Sequence, residues 1–82
     1  MKSKSNTNIT KTRVRQHSLA FRTGPAIKKL RTKYNMTQQQ LANQLNISRS
    51  SVGNWEACLR TPKAEQYSAL AELFNVDIST LY

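Results

Sequence analysis

Acidic side chains are scarce in this chain: four Asp and Glu stand against thirteen Lys and Arg among 82 residues, a formal net charge of +9. Those dispersed acids, with one histidine and one cysteine, form no nucleophile–base pair and no metal-ligand cluster, so neither an enzyme nor a cofactor is expected. Cys58 stands alone, which excludes an internal disulfide framework and makes a reducing cytosol the natural compartment. No apolar run reaches membrane-spanning length, and the N-terminal lysines are followed by no continuous apolar segment. The expectation is therefore a soluble, unexported, cytoplasmic protein. Sequons at Asn8-Ile9-Thr10 and Asn46-Ile47-Ser48 are read as chance matches on that ground. No stretch alternates polar and apolar residues like a strand, and the 38% apolar content suffices for one small helical core.

What is abundant is positive charge, and it is uneven. Six cations (Lys2, Lys4, Lys11, Arg13, Arg15, Arg22) precede Gly24 with no acid among them, whereas the remaining seven face all four acids. This balance points to a polyanionic partner, most often nucleic acid, although ribosomal components and membrane-surface peptides share it. Residues 1–23 are rich in Ser, Thr, Asn and cations and read as a flexible basic arm, either a solvated tail or an arm that grips phosphates or a minor groove. Leu19 and Phe21 are placed to fold back as a staple on the first helix, and His17 reads as solvated rather than as a ligand.

Residues 24–82 read as one helical domain. Gly24-Pro25 carries the signal of a first helical turn, followed by Ile27, Leu30 and Tyr34 at i, i+3, i+7, with Asn35 as the end. Thr37 caps a second helix bearing Leu41, Ala42 and Leu45; Asn46 suits a left-handed turn; Ser48 caps a third helix whose apolar residues are Val52 and Trp55. Ser50, Gly53, Asn54 and Ala57 then point away from that apolar side, a small polar face suited to base edges. This is the plan of a helix-turn-helix DNA reader. Thr61 and Pro62 suggest the start of a fourth helix carrying Tyr67, Leu70, Ala71 and Phe74, and Ile78 to Tyr82 the start of a fifth.

Several short motifs occur in a set order: Ile27-Lys-Lys-Leu-Arg31, Met36-Thr-Gln-Gln-Gln-Leu-Ala42, Asn46-Ile-Ser48, Val52-Gly-Asn-Trp-Glu56, Arg60-Thr-Pro62, Leu70-Ala71 and Phe74-Asn-Val76. With them the chain from Gly24 to Tyr82 resembles the lambda-repressor and Cro-type (Xre-like) helix-turn-helix family. The resemblance implies an all-α, compact five-helix domain with the helix-turn-helix at helices two and three, and a role as a sequence-specific regulator of transcription in a bacterium or phage.

Carried over by position, the resemblance implies that Gln38 binds the DNA backbone and buttresses the recognition helix; an ordinary surface residue is the plain alternative. It places Arg49 and Ser50, with Asn54 further along, at base edges. Arg49 is suited to guanine O6 and N7 and Asn54 to adenine N6 and N7, while a phosphate contact without base preference remains open for Arg49. Gly53 stands where the family has larger side chains, either to admit close backbone approach or through neutral drift. Thr37 and Ser48 open helices whose free amides suit phosphate; Ser51 and Lys63 complete the expected backbone contacts. Arg31 and Glu56, each about 40° from a core residue of its own helix, match positions that the family pairs as a partly buried ion pair. Trp55 reads as core more readily than as a stacking platform. Cys58 departs from the pattern, because the family commonly has glycine there and cysteine fits a left-handed cap poorly.

The expected partner is double-stranded DNA, at an operator of pseudo-palindromic form if the protein is a homodimer, with no membrane and no small-molecule ligand. Localisation follows as cytoplasmic and nucleoid-associated. The rival readings are a nucleic-acid binder without sequence choice and an antitoxin-type interaction module that autoregulates its promoter.

Overall fold

Helix signals in this chain are short and local, and among the described residues they build four α-helices packed around one core. The computed structural model describes residues 19–82. Within them α1 covers 19–33, α2 Gln38–Leu45, α3 Arg49–Glu56 and α4 Ala64–Phe74, and a 3-10 turn over Ile78–Leu81 closes the fold. Among the described residues there is no strand. Each helix places an apolar stripe on the core: Ile27 and Leu30 from α1, Leu41 and Ala42 from α2, Val52 and Trp55 from α3, and Tyr67, Leu70, Ala71 and Phe74 from α4, with Leu81 closing one end.

The expected opening of the first helix at Gly24-Pro25 is corrected. The chain is already helical at 19 and 20, and Ala20 and Thr23 are buried. A polar knot holds this turn. Thr23 Oγ1 donates to the Leu81 carbonyl at 2.7 Å, which commits its one hydrogen, so it accepts from the Tyr67 hydroxyl at 2.8 Å. Leu19 and Phe21 lie on the helix, 37% and 59% exposed, rather than folding back as a staple. Of the arm expected over residues 1–23, residues 1–18, His17 included, lie outside the described residues.

Gly24 serves a different purpose from helix initiation. A Cβ there would collide with the Trp55 carbonyl and stand 3.0 Å from Cys58 Sγ, so the missing side chain lets α1 pass directly over the end of α3. Among the described residues four non-glycine residues turn the chain in the left-handed region: Asn35, Asn46, Cys58 and Asn75, with φ between 55° and 63°. Asparagine tolerates this conformation; cysteine gains nothing from it. At Cys58 the turn is held by Cys58 N–H to Trp55 O at 3.0 Å and Leu59 N–H to Asn54 O at 2.9 Å, the paired bonds that commonly close a helix. The path from Ala57 to Arg60 is thus an ordinary helix exit in spite of its residue.

Two later boundaries also differ from expectation. Helix α4 begins at Ala64 with Lys63 as its N-cap, not at Thr61-Pro62, because the Gln66 side-chain oxygen reaches back to the Lys63 amide at 2.7 Å. The expected fifth helix is a single 3-10 turn, so four α-helices and that turn replace the five-helix count among the described residues. Asp77 caps it, accepting from Ser79 N–H at 2.9 Å and Ser79 Oγ at 2.8 Å.

Two outcomes follow. Gly24→Ala destabilises the domain by about 1–3 kcal/mol in urea unfolding, the range for overpacking a close contact. The Ser79 amide and then its hydroxyl hold the Asp77 carboxyl below its ordinary value. A folded pKa below the unfolded one gives stability that is present above about pH 3.9 and fades as pH falls through the folded pKa. The acid limb of the stability curve is therefore shallower in Asp77→Asn, measured by unfolding between about pH 2 and 5.

Candidate nucleic-acid interface

The α2–α3 pair is built by reciprocal caps and one tight corner. Thr37 Oγ1 accepts from Gln40 N–H at 3.0 Å while Thr37 N–H donates to Gln40 Oε1 at 2.8 Å, a capping box at the start of α2. Asn46 in the left-handed conformation ends α2, with Ile47 N–H bonded to Ala42 O at 2.9 Å. Ser48 starts α3, its Oγ accepting from Ser51 N–H at 3.3 Å and lying 3.2 Å from Ser51 Oγ. The first two amides of each helix, at 38 and 39 and at 49 and 50, have no intrahelical acceptor by position, which leaves two sets of donors of the kind that bind phosphate oxygens.

Burying Val52 and Trp55 orients α3 and settles Trp55 as a core residue. Arg49 and Ser50 are then exposed, and Gly53 and Asn54 are half-buried at the edge of the same face. The side chains of Ser50 and Asn54 hold no hydrogen bond among the described residues, so their donors and acceptors are open. At Gly53 the nearest atom to a would-be Cβ is Gln38 Oε1, 3.9 Å away. The Gln38 amide therefore lies over this glycine.

A polar chain joins three helices behind that face. Arg31 on α1 meets Glu56 at the end of α3 with two bonds, Nε to Oε2 at 2.6 Å and Nη2 to Oε1 at 3.0 Å, and its Nη1 donates to the Met36 carbonyl at 2.6 Å. The two side chains are 12% and 5% exposed. Hydrogen bonding to Glu56, aided by its charge, raises the Arg31 pKa above its ordinary value against the opposing cost of burial. Gln38, the first residue of α2, donates Nε2 to Glu56 Oε1 at 3.0 Å and accepts at Oε1 from Arg49 Nη1 at 3.2 Å. The fold thus brings Arg31, Gln38, Arg49 and Glu56 into one network. Lys63 stands apart, exposed at the start of α4 with its backbone bonded to Gln66.

The resemblance implies that Gln38 buttresses the recognition helix; the residue that Gln38 meets there, Arg49, carries no signal in the sequence. The two stand eleven residues apart on different helices, and neither periodicity nor capping signals a contact between the first residues of two consecutive helices. Among the described residues no group of His, Cys, Asp or Glu is arranged to hold a metal ion, and no helix is long and apolar enough to cross a membrane.

Comparison with known proteins places this geometry in context. Residues 27–81 match the family model described as helix-turn-helix. The chain is 38% identical over 55 residues to the HTH-type transcriptional activator BcrR of Enterococcus faecalis, covering 67% of this chain and 27% of that protein. It is 33% identical over 52 residues to the uncharacterized HTH-type transcriptional regulator YobD of Bacillus subtilis, covering 63% of this chain and 46% of that one. The chain thus spans less than half the length of these curated relatives. Among solved structures, the restriction-modification controller protein C.AhdI from Aeromonas hydrophila superposes with a TM-score of 0.72 at 24% identity, covering 80% of this chain and 96% of that one, a likeness of fold.

Arg31→Met strands a carboxylate that is 5% exposed and costs about 1–3 kcal/mol in chemical unfolding, less than for a wholly buried pair because this one is part-buried. Arg31→Met combined with Glu56→Leu costs less than Arg31→Met alone, because the double change removes the buried charge as well as its partner.

Proposed function

Because the chain belongs to the lambda-repressor and Cro-type helix-turn-helix family of DNA-binding transcription regulators, we propose that it is the DNA-reading unit of a sequence-specific regulator. The observation that carries this reading is α3: its apolar side is locked into the core by Val52 and Trp55, while Arg49, Ser50, Gly53 and Asn54 form its outer edge. A helix of this kind fits the major groove, where Arg49 pairs with a guanine, Asn54 with an adenine, Ser50 with either, and Gly53 admits close backbone approach.

Phosphates on either side are held by the starts of α2 and α3, through the side chains of Thr37, Gln38, Ser48 and Ser51 and the open amides at 38, 39, 49 and 50, with Lys63 as a further contact. Arg31 and Glu56 fix the angle between the helices and touch no base. The cations that precede Thr23 add electrostatic affinity for the DNA backbone. The protein acts in the cytoplasm at the nucleoid, by occupying an operator and so excluding or recruiting polymerase, and it has no catalytic activity. A homodimer on a pseudo-palindrome would place half-sites about 34 Å apart.

Selection from a random DNA library, followed by titration of selected and scrambled duplexes at fixed salt, tests the reading. Selected DNA binds more tightly by a factor of about 10³ or more; equal affinity for both overturns sequence-specific regulation in favour of a non-specific binder. Arg49→Ala relaxes preference at one base pair by about 1–3 kcal/mol. Lys63→Ala weakens all sequences evenly and lowers the salt slope by about one.

A further inference from the structure

We propose that Glu56 is a positioning residue for base choice: its carboxylate dictates which way the Gln38 amide faces, and the amide oxygen holds the Arg49 guanidinium at the angle at which it reads a base. The inference rests on the base-reading role of Arg49 given above. An ionised carboxylate only accepts hydrogen bonds. Glu56 Oε2 is taken by Arg31 Nε, and Oε1 takes both Arg31 Nη2 and Gln38 Nε2, each at 3.0 Å. Turned over, the Gln38 amide would set its oxygen against the carboxylate and its NH₂ against the guanidinium of Arg49. Two repulsive contacts would replace two bonds, so one orientation is imposed.

In that orientation Oε1 stands 3.2 Å from Arg49 Nη1. One of the five N–H groups of the guanidinium is engaged and four remain to present to a base edge and its surroundings. Arg49 is exposed, and an arginine so placed otherwise spreads over many rotamers. Gly53 supports the same arrangement independently. Its would-be Cβ lies 3.9 Å from Gln38 Oε1, so the amide rests on the bare backbone of α3, and a long side chain at 53 would compete for that space. Glu56 and Arg49 occupy opposite ends of α3 and communicate across α2 rather than along their own helix.

The test compares base preference at every operator position, by library selection and by titration at fixed salt, for the full chain and for Gln38→Met, Glu56→Asp and Arg49→Ala. Methionine keeps the length of Gln38 without its amide. Aspartate keeps the charge opposite Arg31 but withdraws the oxygen that Gln38 uses. Circular dichroism establishes that each variant is folded at the temperature of measurement. Arg49→Ala abolishes preference at one base pair; Gln38→Met and Glu56→Asp lower that same preference about 3- to 10-fold and leave other positions unchanged.

If Arg49→Ala removes the preference while Gln38→Met and Glu56→Asp keep it, or weaken all sequences evenly, the relay is overturned and the role of Arg49 stands. If Arg49→Ala alters no base preference, the base-reading role falls and the relay with it. Should Glu56→Asp fail to fold, Gln38→Met together with Gln38→Leu, which also lacks the amide, decides between the same outcomes.

Discussion

One carboxylate governs the arrangement of this small domain. Glu56 accepts three hydrogen bonds, two from Arg31 on α1 and one from Gln38 on α2, while itself ending α3. Desolvating a charge this deeply is expensive, and only a complete set of partners makes it tolerable. The carboxylate therefore couples three helix positions that the apolar core alone would hold loosely in angle. Burial of Val52 and Trp55 decides which side of α3 faces inward; the polar network decides how α3 sits against α2. Hydrophobic packing supplies most of the stability of such a domain, and the network supplies orientation, which is what a reading helix requires.

Much of the central architecture was legible because its signals are local. Thr37 and Ser48 cap the helices they were expected to cap, Asn46 turns left-handed between them, and the stripe of Tyr67, Leu70, Ala71 and Phe74 is buried. In each case a residue's own chemistry, or its spacing to neighbours within two turns, determines the outcome. The boundaries that differed share a cause. Gly24-Pro25 and Thr61-Pro62 both carry the composition of a helix start, yet a glycine demanded by a neighbouring helix looks the same in sequence as one demanded by a turn. At Pro62 the deciding contact is the reach of Gln66 back to Lys63, one residue further on. The 3-10 turn at Ile78–Leu81 looks like a nascent helix in sequence because a few residues of periodicity do not distinguish the two.

Within the candidate site the Arg31–Glu56 pair was legible, and the connections beyond it were not. Arg31 and Glu56 were matched through the family resemblance, and their positions beside Ile27 and Val52 made contact geometrically plausible. That Gln38 stands between Glu56 and Arg49 depends on how two helices cross and on which end of an amide faces a carboxylate, neither of which leaves a trace in spacing. Cys58 shows the reverse case. Its sequence context marked it as ill-suited to a left-handed cap, and the chain adopts that conformation regardless, because the bonds at Trp55 and Asn54 outweigh the cost at a single residue.

The bond from Thr23 to the Leu81 carbonyl joins positions 58 residues apart in the chain. In polymer terms nearly the whole domain is one loop drawn shut at its neck, and the entropy of closing such a loop rises only with the logarithm of its length. Thr23 on α1 and the Leu81 carbonyl in the closing turn therefore stand side by side at that neck. Loosening the closing turn would loosen the first turns of α1 with it, so two stretches distant in the chain behave as one unit of local stability.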